Sequence, residues 1–188
     1  ARKSRLVVFK LVRQSDALFT DPENLAQLDA HFADAPQQET RDFIRVRGLD
    51  IAELVLPEKM RARVFTAELG AQLRLWVVAS SRLEDGELEP FFEALDVKAM
   101  SDAVLNPEAG VGDVPVIVLV SDLNEAGRAA YEADRAARTD ERATHRTDIR
   151  AALAAKLAPQ EAAEAAPEQA EAEGCQNLAE GVTICTSG

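Results

Sequence analysis

Met60-Arg61-Ala62-Arg63-Val64-Phe65-Thr66-Ala67-Glu68-Leu69, then a turn at Gly70, then Leu73-Arg74-Leu75-Trp76-Val77-Val78: this stretch decides the fold. Both arms alternate apolar and polar residues with a period of two, which puts one face of each arm on a core and the other in water. Two such arms joined by a tight turn make an antiparallel hairpin. Arg61, Arg63 and Arg74 are expected on its wet face beside Glu68.

Working outward, Phe43 to Gly48 alternates imperfectly, and Ile51 to Leu56 is apolar apart from Glu53 and stops at Pro57. These read as further strands. Leu6 to Val12 is a β-branched-rich run bounded by charge, expected as a half or fully buried strand. Val114-Pro115-Val116-Ile117-Val118-Leu119-Val120 is the most apolar run of the chain and reads as a central strand with Ile117 and Leu119 in the core. Three helices separate these segments. Asp21-Pro22 opens one with Leu25, Leu28 and Phe32 on a shared face. Leu88 to Leu105 forms the second, with Pro90 admissible only in its first turn. The third runs from Leu123 to about Leu157, opened by Asp122 and Glu125 as a capping box.

Strand, helix, several strands, helix, strand and long helix is neither a regular βαβ alternation nor an all-β pattern. It predicts an α+β fold: a mixed, mainly antiparallel sheet covered by helices, with a long C-terminal helix and a flexible tail. Residues 1–157 form a single domain ending in the charged helix, residues 158–174 an Ala/Glu/Pro-rich linker, and residues 175–188 a terminal hairpin closed by a disulfide. Cys175 and Cys185 are the only cysteines, and Glu180-Gly181 between them has the character of a turn. A local disulfide there implies an oxidising compartment. Free thiols in a cytoplasmic tail are the alternative.

The chain has 188 residues and a formal net charge of −12, and residues 157–188 hold six Glu and no Lys or Arg. Such acidity disfavours binding to nucleic acid or to an anionic membrane surface, both of which depend on clustered Lys and Arg. No apolar run is long enough to cross a membrane. The chain begins at Ala1 rather than Met, and a small residue there suits cleavage of a signal peptide, while the basic Arg2, Lys3 and Arg5 resemble the flank of a membrane anchor. Abundant Ala and Arg in place of Lys fit a bacterial source. The location expected is periplasmic or envelope-associated, with the cytoplasm as the alternative.

No catalytic or metal constellation emerges from the sequence, and no cofactor is implied. Zinc would need two ligands besides the cysteines, and His31 and His145 lie far from them without ligand spacing. Asp122 follows an apolar strand, where open sheets often place ligands, but capping a helix already accounts for it. Gly110-Val111-Gly112-Asp113 precedes a strand, whereas phosphate-binding loops follow one, so it reads as a flexible turn. Ser80-Ser81 lacks a nucleophile-elbow motif.

The long helix is nearly all Ala, Arg, Thr, Asp and Glu between Arg135 and Arg150. A helix polar all round packs little and usually meets a partner or water. The expected function is therefore a non-enzymatic binding or assembly protein of the bacterial envelope. It contacts a partner protein through this helix and tail, with Tyr131, Arg138, Arg142, Arg146 and Ile149 as contact residues. The alternative is a small hydrolase or transferase with a pocket near the end of strand 114–120, drawing on Asp122, Ser80 and Arg74.

Overall fold

The computed structural model describes residues 6–21, 23–25, 27, 38–57, 59–70 and 72–155, and the backbone of 156–164, 175–178 and 182–185. Contacts divide the chain into two compact units, Ala1–Arg142 and Ala143–Gly188.

The first unit is an α+β fold built on a six-stranded sheet in the order β1-β5-β4-β3-β2-β6, antiparallel throughout. Strands β2 (Thr40–Val46), β3 (Leu49–Leu54), β4 (Ala62–Leu69) and β5 (Leu73–Ser80) form a meander. Strand β1 (Val7–Arg13) pairs with β5, and β6 (Ile117–Leu119) with β2. The β4–β5 hairpin lies where its alternation put it. Phe65, Ala67, Leu69, Leu73, Leu75 and Val77 face a buried core, and Glu68 faces Arg74 across the ladder on the wet side.

Local chemistry fixes the next turn as firmly. Arg47 (φ 47°) and Gly48 (φ 85°) join β2 to β3 with two left-handed residues in succession, the geometry that matches the twist of a hairpin. A Cβ on Gly48 would also stand 2.6 Å from the carbonyl oxygen of Gly110, so the position is closed to any other residue. That contact shows loop 110–113 docked on the hairpin rather than free. Gly112 N donates to Arg47 O at 2.7 Å, and Val111 is buried.

Helices α2 (Asp85–Glu93) and α3 (Val97–Asp102) cover one sheet face. Leu88, Phe92, Val97 and Met100 join Ile44, Ile51, Phe65 and Leu75 in one cluster. Rings of Phe43, Phe65 and Phe92 lie 4.5–5.5 Å apart in tilted and edge-on contacts. The single helix expected over 88–105 is broken at residues 94–96, where Asp96 caps α3 by accepting from Ala99 N. Pro90 sits at the sixth residue of α2, past the first turn. Arg47 reaches the end of α2 and donates to the carbonyls of Glu93 and Leu95, satisfying acceptors that the helix leaves open.

Both runs expected to be buried strands lie at the sheet edges. Strand β6 is three residues long, pairs with β2 alone among the described strands, and leaves Val114 and Val116 outside it and exposed. Leu119 is buried as expected, but Ile117 is only half-buried. In β1 every residue after Val7 is exposed. At the far end of β1, buried Gln72 ties three segments together: its amide nitrogen donates to Gln14 O and Asp16, and its oxygen accepts from Leu105 N. Arg63 is a further correction. It lies on the core face opposite Ala79, against the rings of Phe43 and Phe65.

A short helix α1 (Ala17–Thr20) precedes Asp21, and Glu23, Asn24 and Leu25 are helical, while Leu28, His31 and Phe32 lie outside the described residues. The long helix α4 runs Glu125–Glu164. Asn124, not Asp122, caps it by accepting from Gly127 N at 2.8 Å, and Asp122 closes a preceding 3-10 turn. In the second unit, β7 (Cys175–Leu178) and β8 (Val182–Cys185) form a two-stranded antiparallel hairpin.

Phe92→Ala removes the ring that joins helix to sheet and is expected to destabilise the protein by about 3–5 kcal/mol. Ile117→Ala, on a half-buried edge, is expected to cost about 1 kcal/mol or less. Urea unfolding of the two variants beside the parent checks the order.

Candidate functional site

The sheet face opposite the core carries charge at β2–β3, because Arg45 and Asp50 alternate with buried Ile44, Val46, Leu49 and Ile51. The first turns of α4 answer it with charge. Asp50, its side chain 9% exposed, accepts from Arg45 Nε at 2.5 Å and from the Tyr131 hydroxyl at 3.3 Å through Oδ1. Its Oδ2 faces Arg138 at 3.5 Å and Arg142 at 3.7 Å. Arg45 also binds Asp134 and lies 4.6 Å from the centre of the Tyr131 ring. Arg138 donates to the carbonyl of Gly48, Arg142 pairs with Glu108 at 2.5 Å, and Arg135 pairs with Asp42. Four arginines thus meet four carboxylates, so the network carries no net charge.

Three of the five residues expected to meet a partner are therefore engaged inside the first unit. Tyr131 is 6% exposed, and Arg138 and Arg142 are bonded to the sheet or to Glu108. Burial, and then the neighbouring Asp50 and Asp42 charges, push the Tyr131 hydroxyl well above its ordinary pKa. Burial works against the charge of Arg45, but its hydrogen bonds to Asp50 and Asp134 raise its pKa overall. Asp134 and Arg138, four residues apart on the helix, each turn to the sheet, to Arg45 and to the carbonyl of Gly48. Of residues 143–155 only Ile149 and Leu153 are partly buried, and Arg146 is exposed.

A second charged cluster closes the end of the core. Glu53, its side chain 6% exposed, accepts from Arg63 at 2.7 and 2.8 Å and from Arg41 at 2.7 and 3.0 Å. Arg63 also pairs with Asp85 at 2.7 Å. Its pKa is raised chiefly by the bond to Glu53. Beside this cluster lies an open cleft of about 300 Å³ lined by Arg41, Glu53, Val120, Ser121, Arg128 and Glu132 among others. It sits at the end of β6, where the alternative reading expected a pocket. Asp122, Ser80 and Arg74 do not line it: Arg74 pairs with Glu68, and Ser80 Oγ accepts from Arg82 N. His145 is exposed on α4. Among the described residues no cluster of three or more metal-ligating side chains occurs.

The remaining feature is the β1 edge. Leu6, Val8, Phe9, Leu11 and Val12 are all exposed, with Val78 on the neighbouring strand and Phe91 on α2. Periodicity could not reveal this, since an apolar run reads alike in the centre of a sheet and at its rim. At the C-terminus the ladder sets Cys175 directly opposite Cys185, with Gln176 opposite Ile184 and Leu178 opposite Val182.

Compared with known proteins, the chain matches no family model, no curated protein and no solved structure significantly.

Asp50→Ala leaves three arginines without their shared carboxylate and is expected to destabilise by about 3–5 kcal/mol. Tyr131 is the only tyrosine, so its absorbance reports this site alone. Its pKa is raised on folding, so its contribution holds below the ordinary tyrosine pKa of about 10 and is lost as pH climbs above it. Tyrosinate absorbance should appear only as the protein unfolds in alkali, and Asp50→Ala should bring it to lower pH.

Proposed function

We propose that the protein is a non-enzymatic binding or assembly protein of the bacterial envelope, meeting a partner protein through the later part of α4 and the tail that follows. The observation that carries this reading is the division within α4. Up to Arg142 one side of it is bound to the sheet and to Glu108, through Tyr131, Asp134, Arg135, Arg138 and Arg142. From residue 143 the helix continues to Glu164 with its side chains exposed as far as residue 155, apart from Ile149 and Leu153. Nothing in the first unit's ion network calls for those further turns. Arg146 and Ile149 remain as contact residues, whereas Tyr131, Arg138 and Arg142 serve by fixing the base of the helix.

The facing cysteines support the location. Directly opposed residues on adjacent antiparallel strands approach within the Cα separation a disulfide requires. A hairpin this short gains from such a closure and retains it in an oxidising compartment. The cleft beside Glu53 is what favours the second reading, a small hydrolase or transferase, but the residues first suspected of that chemistry lie elsewhere.

A chain ending at Arg142 retains the whole network and should lose the partners that the full chain recovers from its own host. Arg146→Glu with Ile149→Glu in the full chain should lose them too. Equal recovery by all three would make the later helix a spacer and overturn the reading. Under non-reducing conditions the native protein should be about two hydrogen masses lighter than its reduced form.

A further inference from the structure

The β1 edge carries an inference independent of the helix. Its backbone polarity follows from the ladder. Ser80 N donates to Leu6 O, and Gln14 N donates to Gln72 O. With the register Val7↔Ala79 to Arg13↔Leu73, the even-numbered residues point their N–H and C=O groups at β5. Those of Val7, Phe9 and Leu11 point outward, and among the described residues no strand pairs with them.

Side chains continue the pattern. Phe9 lies on the core face, its ring 6.0 Å from that of Phe92, with exposed Leu11 beside it and Phe91 exposed on the covering helix. Val8, Lys10 and Val12 lie on the other face, where Lys10 stands opposite Trp76. Natural sheets usually protect such an edge by shortness, proline, bulges or charge. Here seven residues run without a bulge or proline, and Lys10 is the one charge within the apolar run.

The charge names the occupant. Residues 1–15 contain Arg2, Lys3, Arg5, Lys10 and Arg13 and no carboxylate, in a chain whose net charge is −12. Arg13 is engaged by Asp16 and by the carbonyl of Ala103, but Lys10 has no ion-pair partner among the described residues. A second copy laid on the same edge would bring like charges together, and opposed like charges weaken a strand pair. A lipid surface would accept the cations and the apolar side chains but leave the outward amides unpaired. We infer that β1 adds a strand from another protein, an extended segment that alternates apolar residues with carboxylates. Its backbone pairs with Val7, Phe9 and Leu11, its apolar residues join Phe9 and Leu11, and a carboxylate meets Lys10.

The test uses the full chain and a labelled, end-capped peptide of about nine residues alternating valine with glutamate, a length matched to the strand. Two further peptides accompany it: one with lysine in place of glutamate, and one methylated on the alternate amides of its pairing edge. Fluorescence polarisation should show saturable binding of the acidic peptide, weakening as salt is raised, with the lysine and methylated peptides about tenfold weaker or worse. Leu11→Pro removes an outward N–H while sparing the bonds to β5, and should weaken the acidic peptide. Lys10→Glu, on an exposed position, should reverse the preference to the lysine peptide with an unchanged melting curve. Equal binding of acidic and basic peptides, or indifference to methylation, would overturn strand addition. Sedimentation showing a dimer that excludes the peptide would assign the edge to a second copy instead. Binding to anionic phosphatidylserine vesicles lost in Lys10→Glu, with no peptide binding, would assign it to lipid.

Discussion

Asp50 is the group on which the arrangement of the first unit turns. It lies on the sheet face away from the core, nearly buried, beneath a helix with hardly any large apolar residues. A carboxylate in that setting is costly unless opposite charge and hydrogen bonds surround it. Arg45 from the neighbouring strand, Tyr131, Arg138 and Arg142 from α4 supply them, and Asp134 and Glu108 balance the surplus. Such networks add little net stability against an apolar alternative, but breaking them is expensive. Their contribution here is position. An Ala-rich helix can sit at many registers on a greasy surface, whereas Asp50 admits only the one that brings residues 131, 138 and 142 to its two oxygens.

The same principle explains what the sequence concealed. Where apolar residues were directed to a common core, structure could be read directly: the β4–β5 hairpin follows from a period-two pattern, and β2, β3 and the α+β class from the imperfectly alternating and apolar runs before it. The polarity of α4 was legible as well, but its partner was not. A polar helix looks solvated or intermolecular until a matching polar sheet face is known to lie beneath it, and Arg45 and Asp50 are separated from Arg142 by about half the chain. Arg63 misled for a related reason. Its parity with Phe65 placed it inward, and only the distant Glu53 and Asp85 make an inward guanidinium tolerable. The Asp122–Glu125 spacing pointed to the wrong cap, because a 3-10 turn takes up Asp122 and leaves Asn124 to cap the helix. The Asp50 and Glu53 clusters were thus invisible as sites, since each is assembled from elements remote in sequence.

Edges are where apolarity and burial part company. Leu6–Val12 and Val114–Val120 have the composition of central strands, yet they occupy the two rims of the sheet. The meander explains why. Strands β2 to β5 are joined by short connections and fill the interior in order, so segments arriving from outside the meander find only its flanks. On the β6 side the flank is blunted: the strand is three residues long and passes straight into a 3-10 turn, and the Gly110–Gly112 loop packs on the adjacent hairpin. Among the described residues the β1 side has no such treatment.

The exposed apolar surface of the first unit is therefore unevenly distributed for a structural reason. One sheet face is filled by α2 and α3, and the β2–β3 part of the other is taken by the charged base of α4. Gln72 fastens the end of β1 to the β4–β5 turn and to Leu105, which holds the strand in register while its outer amides meet no strand among the described residues. A strand retained only for its contribution to the core would need its inward residues alone. Strand β1 instead presents Val8 and Val12 on the side away from the core, and Lys10 between them. The backbones of those three residues bind β5, but their side chains are exposed and lie outside the core. With the outward amides of Val7, Phe9 and Leu11, those side chains make sense as one half of a ladder whose other half comes from elsewhere.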